Sequence, residues 1–390
     1  MPIQTYITGT GHSRFGKLSA TLEELITEVT REALADAGLQ GSDIDAVYLG
    51  HFNSGLVPDG FASSLAMQAD AGLRFAPATR CENACASGAA AFHGALNLIR
   101  AGGARNVLVI GAEKMTHRTT ADVTRALAGA GYQNDPAEAG LSFPQAFALL
   151  AQGYGERYGD PTETLARIAV KNHANALNNP LAQMHKPLDL AVALTVSDRN
   201  PLIAPPLKLS DCSLITDGAA AVVLSSADAA ASASRRVHIV AASHVSDLLP
   251  MAARDVLAFE GPRRAIEAAY AQAGITVQDL DFAEVHDCFT IAELLIYEAM
   301  GLAAPGQGGR VIADGTVLAD GALPVNLSGG LKAKGHPVGA TGVSMLALAA
   351  RQLTGGAGAM QLTTPEWALA FNMGGAAVAN YATVLHADRA

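Results

Sequence analysis

The amino-acid sequence predicts an α/β protein made of two similar halves, each a mostly buried sheet covered by helices, with a long segment inserted into the first half. Three observations carry this expectation. Apolar runs of strand length alternate with amphipathic helical stretches along the chain. A helix–glycine–strand unit occurs twice in one register, and two further landmarks recur in the same order with one unequal interval.

The repeated unit is Ala35-Asp36-Ala37-Gly38-Leu39 followed by Asp43-Ile44-Asp45, which returns as Ala271-Gln272-Ala273-Gly274-Ile275 followed by Asp279-Leu280-Asp281. Each copy reads as an amphipathic helix (Leu22–Ala37 in the first, 262–273 in the second) ended by a glycine suited to a left-handed C-cap. An apolar strand follows, Ala46-Val47-Tyr48-Leu49 or Phe282-Ala283-Glu284-Val285. Ala and Gly matches alone would carry little weight in so Ala- and Gly-rich a chain. The Asp43/Asp279 and Asp45/Asp281 pairs are what separate duplication from accident.

The second landmark aligns Cys85-Ala86-Ser87-Gly88-Ala89 with His336-Pro337-Val338-Gly339-Ala340, each opening a long Ala-rich helix that reaches Arg100 or Arg351. The third aligns Gly218-Ala219-Ala220-Ala221-Val222 with Gly374-Gly375-Ala376-Ala377-Val378, each starting an apolar strand of the kind buried on both faces. The halves are therefore expected to be related by a pseudo-two-fold axis. Cys85 and Gly218 are 133 positions apart and His336 and Gly374 only 38, so roughly 95 residues are inserted in the first half. We place them at 117–211, leaving 1–116 with 212–250 as the N-terminal half and 251–390 as the C-terminal half. Within the insertion Phe143–Tyr158 and Thr162–Ala176 read as helices, and Asn178-Asn179-Pro180 and Pro205-Pro206 as irregular chain. An excursion of this length usually builds a lid or substrate-binding surface.

A chain of 390 residues, 50% hydrophobic and 16% charged, can bury a large core. The net charge of -10, with 26 Lys and Arg scattered rather than clustered, argues against a nucleic-acid partner. The start has no basic stretch leading into an apolar run, and no segment approaches the roughly 20 apolar residues of a membrane span. A cytoplasmic enzyme is the expectation. Four cysteines, Cys81, Cys85, Cys212 and Cys288, are too few and too scattered for a disulfide framework, and no metal-ligand spacing is present.

Cys85 lies between a strand expected at 77–81 and the helix expected from Ser87, so its sulfur belongs at a helix N-terminus, where partial positive charge favours thiolate. Its small neighbours leave room for a substrate and for the Cys85 N–H to donate to an oxyanion. Duplication places His336 at the quasi-equivalent position of the second half, where a base would face the nucleophile; a glycine-rich loop around it gives it little packing of its own. His286-Asp287-Cys288-Phe289 follows a strand directly, the position at which open α/β sheets place ligand sites. Cys81 and Cys212 sit in apolar strand patterns and read as core residues.

Asn83-Ala84-Cys85-Ala86-Ser87-Gly88, His286-Asp287-Cys288-Phe289 and Gly335-His336-Pro337-Val338-Gly339-Ala340-Thr341-Gly342 resemble the active-site signatures of thiolases, in the right order and over essentially the whole chain. The subgroup most resembled is the sterol-carrier-protein type. The resemblance implies the thiolase fold, five-layered, with the insertion as a loop domain that holds coenzyme A, assembled as a homodimer or tetramer. It implies no permanently bound cofactor and no metal; coenzyme A thioesters are the substrates. It further implies that Cys85, activated by His336, carries the acyl group, that N–H groups of Cys85 and the Gly374 region hold the oxyanion, and that Cys288 moves the α-proton while His286 and His336 polarise a thioester oxygen.

Two departures matter. Thiolases ordinarily have Asn-Glu-Ala-Phe where this chain has His286 to Phe289, and a second reactive cysteine where it has Asn372, two residues before Gly374. Competing expectations are a thiolase-like subunit that needs a small OB-fold, zinc-ribbon partner for acyl transfer or aldol cleavage, a Cys-His condensing enzyme using a carrier protein, and a scaffold without activity. Lys332 and Lys334 are read either as phosphate contacts or as solvated lysines of an exposed loop.

Overall fold

Residues 3–388 are described by the computed structural model, and in them strands and helices alternate as the duplicated pattern requires. The first half runs β1 (Thr5–His12), α1 (Leu22–Ala37), β2 (Ala46–Gly50), β3 (Ala78–Cys81), α2 (Ser87–Arg100) and β4 (Asn106–Glu113). The insertion supplies α3 (Thr120–Ala128), α4 (Phe143–Tyr158), α5 (Thr162–Ala176), α6 (Leu190–Leu194) and a hairpin of β5 (Leu202–Ala204) and β6 (Leu207–Lys208), before β7 (Gly218–Ser226) completes that half. The second half runs β8 (Val237–Ser246), α7 (Glu260–Ala273), β9 (Phe282–Val285), α8 (Thr290–Ala299), α9 (Gly309–Ala313), α10 (Thr341–Leu353), β10 (Trp367–Gly374) and β11 (Ala379–Ala387).

The repeated aspartates have the same work in both halves. Asp43 accepts the N–H of Gln40 and Asp279 that of Thr276, closing equivalent turns. Asp45 accepts from the N–H groups of Arg105 and Asn106 at the start of β4, and Asp281 from those of Glu366 and Trp367 at the start of β10. A carboxylate thus pairs strand-end donors that would otherwise go unsatisfied. Both helices before these turns end at a left-handed glycine, Gly38 with φ 67° and Gly274 with φ 70°.

Strand order is β3-β2-β4-β7-β1-β8-β11-β10-β9. Reading outward from the centre, β1 matches β8, β7 matches β11, β4 matches β10 and β2 matches β9, with the same parallel and antiparallel pairings on each side. Val325, bridged in parallel to Ala283 of β9, stands where β3 stands in the first half. The half-sheets join edge to edge through Tyr6–His238 and Ile7–Val237, a continuity that the duplicated motifs do not announce. α1 covers β1 and β7, α7 covers β8 and β11, and α2 and α10 lie against each other between the half-sheets. Two outer helices, two half-sheets and a central helical layer make the five-layered α/β arrangement.

Several expectations need adjustment. Gly374 ends β10 and 375–378 is the turn into β11, so this landmark is offset from Gly218, which begins β7. His336 lies five residues before α10 rather than at its first turn, because a 3₁₀ turn at Val338–Ala340 intervenes. Cys212 is not in a strand; it follows a 3₁₀ turn at Leu209–Asp211 and bridges to Phe289. The insertion has no separate core, since Phe147 of α4 and Ile168 of α5 join the same apolar cluster as Phe289 and Leu294 of the C-terminal half.

The central layer depends on backbone-to-backbone contact. A Cβ on Gly88 of α2 would lie 2.7 Å from the carbonyl oxygen of Gly339, one on Gly111 of β4 2.6 Å from the same oxygen, and one on Gly339 2.7 Å from the Ala112 oxygen. None of these neighbours is a side chain able to swing away. Gly88→Ala is therefore expected to destabilise the fold by about 1–3 kcal/mol through overpacking, and a denaturant midpoint equal to that of the parent chain would contradict this packing.

Candidate active site

β3 ends at Cys81 and α2 begins at Ser87, and the chain between them is pinned from several sides. Ser87 Oγ accepts from the Asn83 N–H at 2.9 Å and donates to the Ala84 carbonyl at 2.6 Å, while Asn83 Nδ2 donates to the Tyr381 hydroxyl at 2.7 Å. Ala84 is held at φ 49°, a left-handed conformation costly for a residue with a Cβ. The 374–375 turn lies directly against this loop, for a Cβ on Gly374 would sit 2.3 Å from the Asn83 carbonyl oxygen. The result is a Cys85 only 8% exposed, one residue before the helix cap.

His336 is set by Gly335 at φ 118° and by its own N–H, which donates to Thr216 Oγ1 at 3.0 Å. Its Nδ1 lies 2.7 Å from Thr341 Oγ1, and that hydroxyl donates to the Pro337 carbonyl at 3.2 Å. The hydrogen-bond pattern therefore assigns the proton to Nδ1 and leaves the Nε2 lone pair free to act as a base. His286 has the opposite tautomer. Asn372 Nδ2 donates to its Nδ1 at 2.8 Å and to the Cys85 carbonyl at 3.2 Å, so Nε2 carries the hydrogen, and that buried atom has no partner.

Cys85 Sγ and one nitrogen from each of His286 and His336 lie within 4.8 Å of one another, with the two rings edge to face at 5.2 Å between centroids. Residues distant in sequence thus converge as the duplication predicts. Cys288 ends the loop after β9 and, like Cys85, lies one residue before a helix cap, here that of α8. Its thiol is buried.

The electrostatics differ from the expectation of a thiolate. Burial pushes the Cys85 thiol up to about 12, and the nearby Glu113 and Glu82 charges add to this; the N–H groups of Gly375 and Cys85, which point at the sulfur, only partly oppose it. Burial, helped by the Lys334 charge, lowers His336 to about 3. Burial holds His286 well below its ordinary value and Cys288 well above. Burial thus favours the neutral form of both thiols and both imidazoles in the resting site. The N–H donors at the sulfur are those of Cys85 and Gly375; Gly374 serves by its lack of a side chain.

Two buried carboxylates that sequence reasoning gave no role hold these loops. Glu113, the last residue of β4, accepts from the N–H groups of Phe52, Asn53 and Gly339 and lies 3.1 Å from His51 Nδ1. Asp287 accepts from the N–H groups of Leu331 and Lys332 and from Asn172 Nδ2, and burial with the Glu293 charge raises it to about 7. Asn172 and Lys171 of α5 also contact Glu293, so the insertion is tied by hydrogen bonds to the turn bearing His286. Lys332 and Lys334 are not in an exposed loop. They are buried in the helical turn Gly330–Lys334, and Lys334 Nζ donates to Ser344 Oγ at 3.0 Å, so the reading of solvated lysines in an exposed loop does not hold.

A cavity of about 450 Å³ opens beside the loop that carries Cys85, lined among others by Phe52, Asn53, Ala84, Ala130, Leu249 and Gly375; Cys85, His286 and His336 are not part of its lining. Ala130 comes from the insertion. A neighbouring recess shares Ala130, Leu249 and Val378 with this cavity and extends toward Tyr132 and Arg254. The arrangement can form a covalent thioester on Cys85, hold an oxyanion with two N–H groups and move protons with two imidazoles and a second thiol.

Residues 3–195 match the model of the thiolase N-terminal domain, and residues 242–387 match the model described as thiolase C-terminal domain-like. An acetyl-CoA acetyltransferase of Methanothermobacter thermautotrophicus is 39% identical over 95% of this chain and 96% of its own length. Human sterol carrier protein 2 is 31% identical over 95% of this chain and 70% of its own. Among solved structures, the Ltp2-ChsH2(DUF35) aldolase shares the fold with a TM-score of 0.84 at 24% identity, covering 100% of this chain and 99% of that one.

The buried neutral histidines make stability depend on pH. His336 and His93 lie near 3, and His12 and His286 well below their ordinary value, all chiefly because of burial. An unfolded histidine binds its proton near pH 6.5, so between there and the folded values the unfolded chain holds more protons. The stability these residues contribute is whole above about pH 6.5 and is lost as pH falls toward the folded-state values. Melting temperatures taken from about pH 7.5 to about pH 4.5 should fall less steeply in a His336→Gln variant than in the parent; parallel curves would contradict a neutral buried His336.

Proposed function

The chain belongs to the thiolase family, and from that premise we propose that it is an acyl-CoA:acetyl-CoA C-acyltransferase of lipid metabolism that carries its acyl group on Cys85. The observation that carries the reading is the convergence of the Cys85 sulfur with His336 and His286, with an open cavity whose wall includes Ala84, next to Cys85 in the chain, and Gly375, whose N–H points at the sulfur. Coenzyme A thioesters are its substrates, with no resident cofactor.

In the degradative direction, the Cys85 sulfur attacks the 3-keto carbon of a 3-oxoacyl-CoA while His336 Nε2 takes the thiol proton. The N–H groups of Cys85 and Gly375 hold the oxyanion, a contribution that typically amounts to roughly 2.7–4 kcal/mol per donor in such sites. The C2–C3 bond then breaks. Acyl stays on sulfur, and the departing enolate of acetyl-CoA, its oxygen held by His286 Nε2–H, takes a proton from Cys288. A thiol that burial keeps protonated suits this donation. His336 returns its proton to the Cys288 thiolate, and the thiol of a fresh coenzyme A displaces Cys85, its proton ending on the Cys85 sulfur. Reversal of the same steps condenses two thioesters.

Asn372 occupies the place of the missing second reactive cysteine and positions His286 rather than attacking anything. The insertion, through Ala130 on the wall of the 450 Å³ cavity, supplies part of the surface for the coenzyme A arm. A cytoplasmic homodimer or tetramer accords with the absence, among the described residues, of any helix long and apolar enough to cross a membrane, and with the unpaired outer edge of β3, near which Phe75 is 85% exposed. A second reading, a subunit that works with a small OB-fold, zinc-ribbon partner, is favoured by Val196, Leu202, Ile203 and Leu209, exposed apolar side chains on the insertion. Retention of Cys85 speaks against aldol cleavage, which needs no acyl-cysteine.

Incubation with an acyl-CoA should add the acyl mass to the peptide containing Cys85, and Cys85→Ser should neither acquire it nor turn over. Cys288→Ser should still acquire it while losing turnover by about 10²- to 10⁴-fold. Turnover by the parent chain without acyl-Cys85 would overturn the proposal, and full turnover by the isolated chain would remove the partner-dependent reading.

A further inference from the structure

We propose that Cys85, His286 and His336 also form a binding site for a soft divalent cation, zinc fitting best, and that the cation competes with the thioester for the catalytic sulfur. One sulfur and two imidazole nitrogens lie mutually within 4.8 Å, all three residues buried. That is the donor set of a three-ligand zinc site with its fourth position open, and it is the wrong chemistry for the oxygen-seeking magnesium and calcium ions.

The surroundings favour a metal in a second, independent way. His286 Nε2 is buried without a partner. The other ring nitrogen of each histidine is already engaged: His336 Nδ1–H donates to Thr341, which is the outer hydrogen bond that metal-bound histidines ordinarily have, while His286 Nδ1 accepts from Asn372 Nδ2 and reaches that arrangement only when the amide turns. Asn372 Oδ1 is a further buried atom without a partner. Rotation of that amide gives up its hydrogen bond to the Cys85 carbonyl and offers Oδ1 to the His286 Nδ1–H, which shifts the ring to the tautomer whose Nε2 lone pair points at the metal. Phe52, Met115 and Val338 pack around Cys85 and limit competing water.

With metal–sulfur and metal–nitrogen distances of about 2.3 and 2.0–2.1 Å, tetrahedral donors stand roughly 3.3–3.6 Å apart. The three donors must therefore close by up to about 1.2–1.5 Å, a movement that side-chain rotations supply. Binding breaks the S–H bond, forms an S–metal bond and sends the proton to solvent, with no change of oxidation state. Loss of the thiol proton releases one proton per ion. The bound ion caps the nucleophile and occupies the His336 lone pair. An acylated Cys85 has no thiolate to give, so acylation and metal binding exclude one another; this last step alone rests on the acyltransferase reading.

The test uses chelator-treated full-length protein titrated with cobalt(II) as a spectroscopic probe for zinc. One equivalent should produce a thiolate-to-cobalt charge-transfer band with the visible absorption of a tetrahedral ion and release one proton, and added zinc should bleach both absorptions. Cys85→Ser should abolish the band, Thr341→Val should weaken binding roughly 10- to 100-fold, and acetyl-CoA given first should suppress it. No band in the parent, or a band that survives Cys85→Ser, overturns the proposal. Failure of the acyltransferase reading would show separately, as metal-free protein that never gains an acyl group on Cys85.

Discussion

The structure depends on a contact between main chains with no side chain between them. Gly50, Gly88, Gly111 and Gly339 bring β2, α2, β4 and the loop before α10 so close that a methyl group on any of the four would meet backbone atoms within 2.5–2.8 Å. This contact sets the two pseudo-equivalent loops face to face and so brings a cysteine from one half to a histidine from the other. Dispersion between closely packed backbones is weak per atom but summed over many contacts, and its geometric effect here is larger than its energy. Catalysis that relies on positioning is sensitive to shifts of about an ångström.

Burial fixes the protonation states that follow. Burial disfavours a thiolate at Cys85 more than the two N–H groups at the sulfur favour it. The site responds with a neutral base whose lone pair is directed by Thr341 and a neutral donor whose hydrogen is directed by Asn372. Charge develops only during reaction, where preorganised donors meet it. The same neutral donor atoms suit them to a soft metal ion, so a site built for acyl transfer carries an intrinsic susceptibility to zinc.

Much of this was legible in the residue order. Capping glycines and paired aspartates are local chemistry, and they revealed the duplication because Asp45 and Asp281 terminate equivalent strands with equivalent hydrogen bonds. Cys85, His336, His286 and Cys288 stood out because each combines a reactive side chain with the end of an element. Glu113 and Asp287 were given no role because their work is long-range: each gathers N–H groups from segments that meet only in the fold, Glu113 reaching Gly339, 226 positions away. The lysines at 332 and 334 misled for a related reason. A glycine-rich stretch with two cations resembles an exposed loop, and nothing local signals a helical turn buried against Asp287.

The central claim is that sulfur, base and oxyanion donors from both halves meet at one acylated carbon. A crystal structure of the protein soaked with acetyl-CoA tests it most directly. The account predicts an acetyl group on Cys85, its carbonyl oxygen within about 2.7–3.1 Å of the Cys85 and Gly375 nitrogens, and His336 Nε2 facing the sulfur. An acetyl group on another residue, or one on Cys85 whose carbonyl points away from Gly375 and His336, would contradict it.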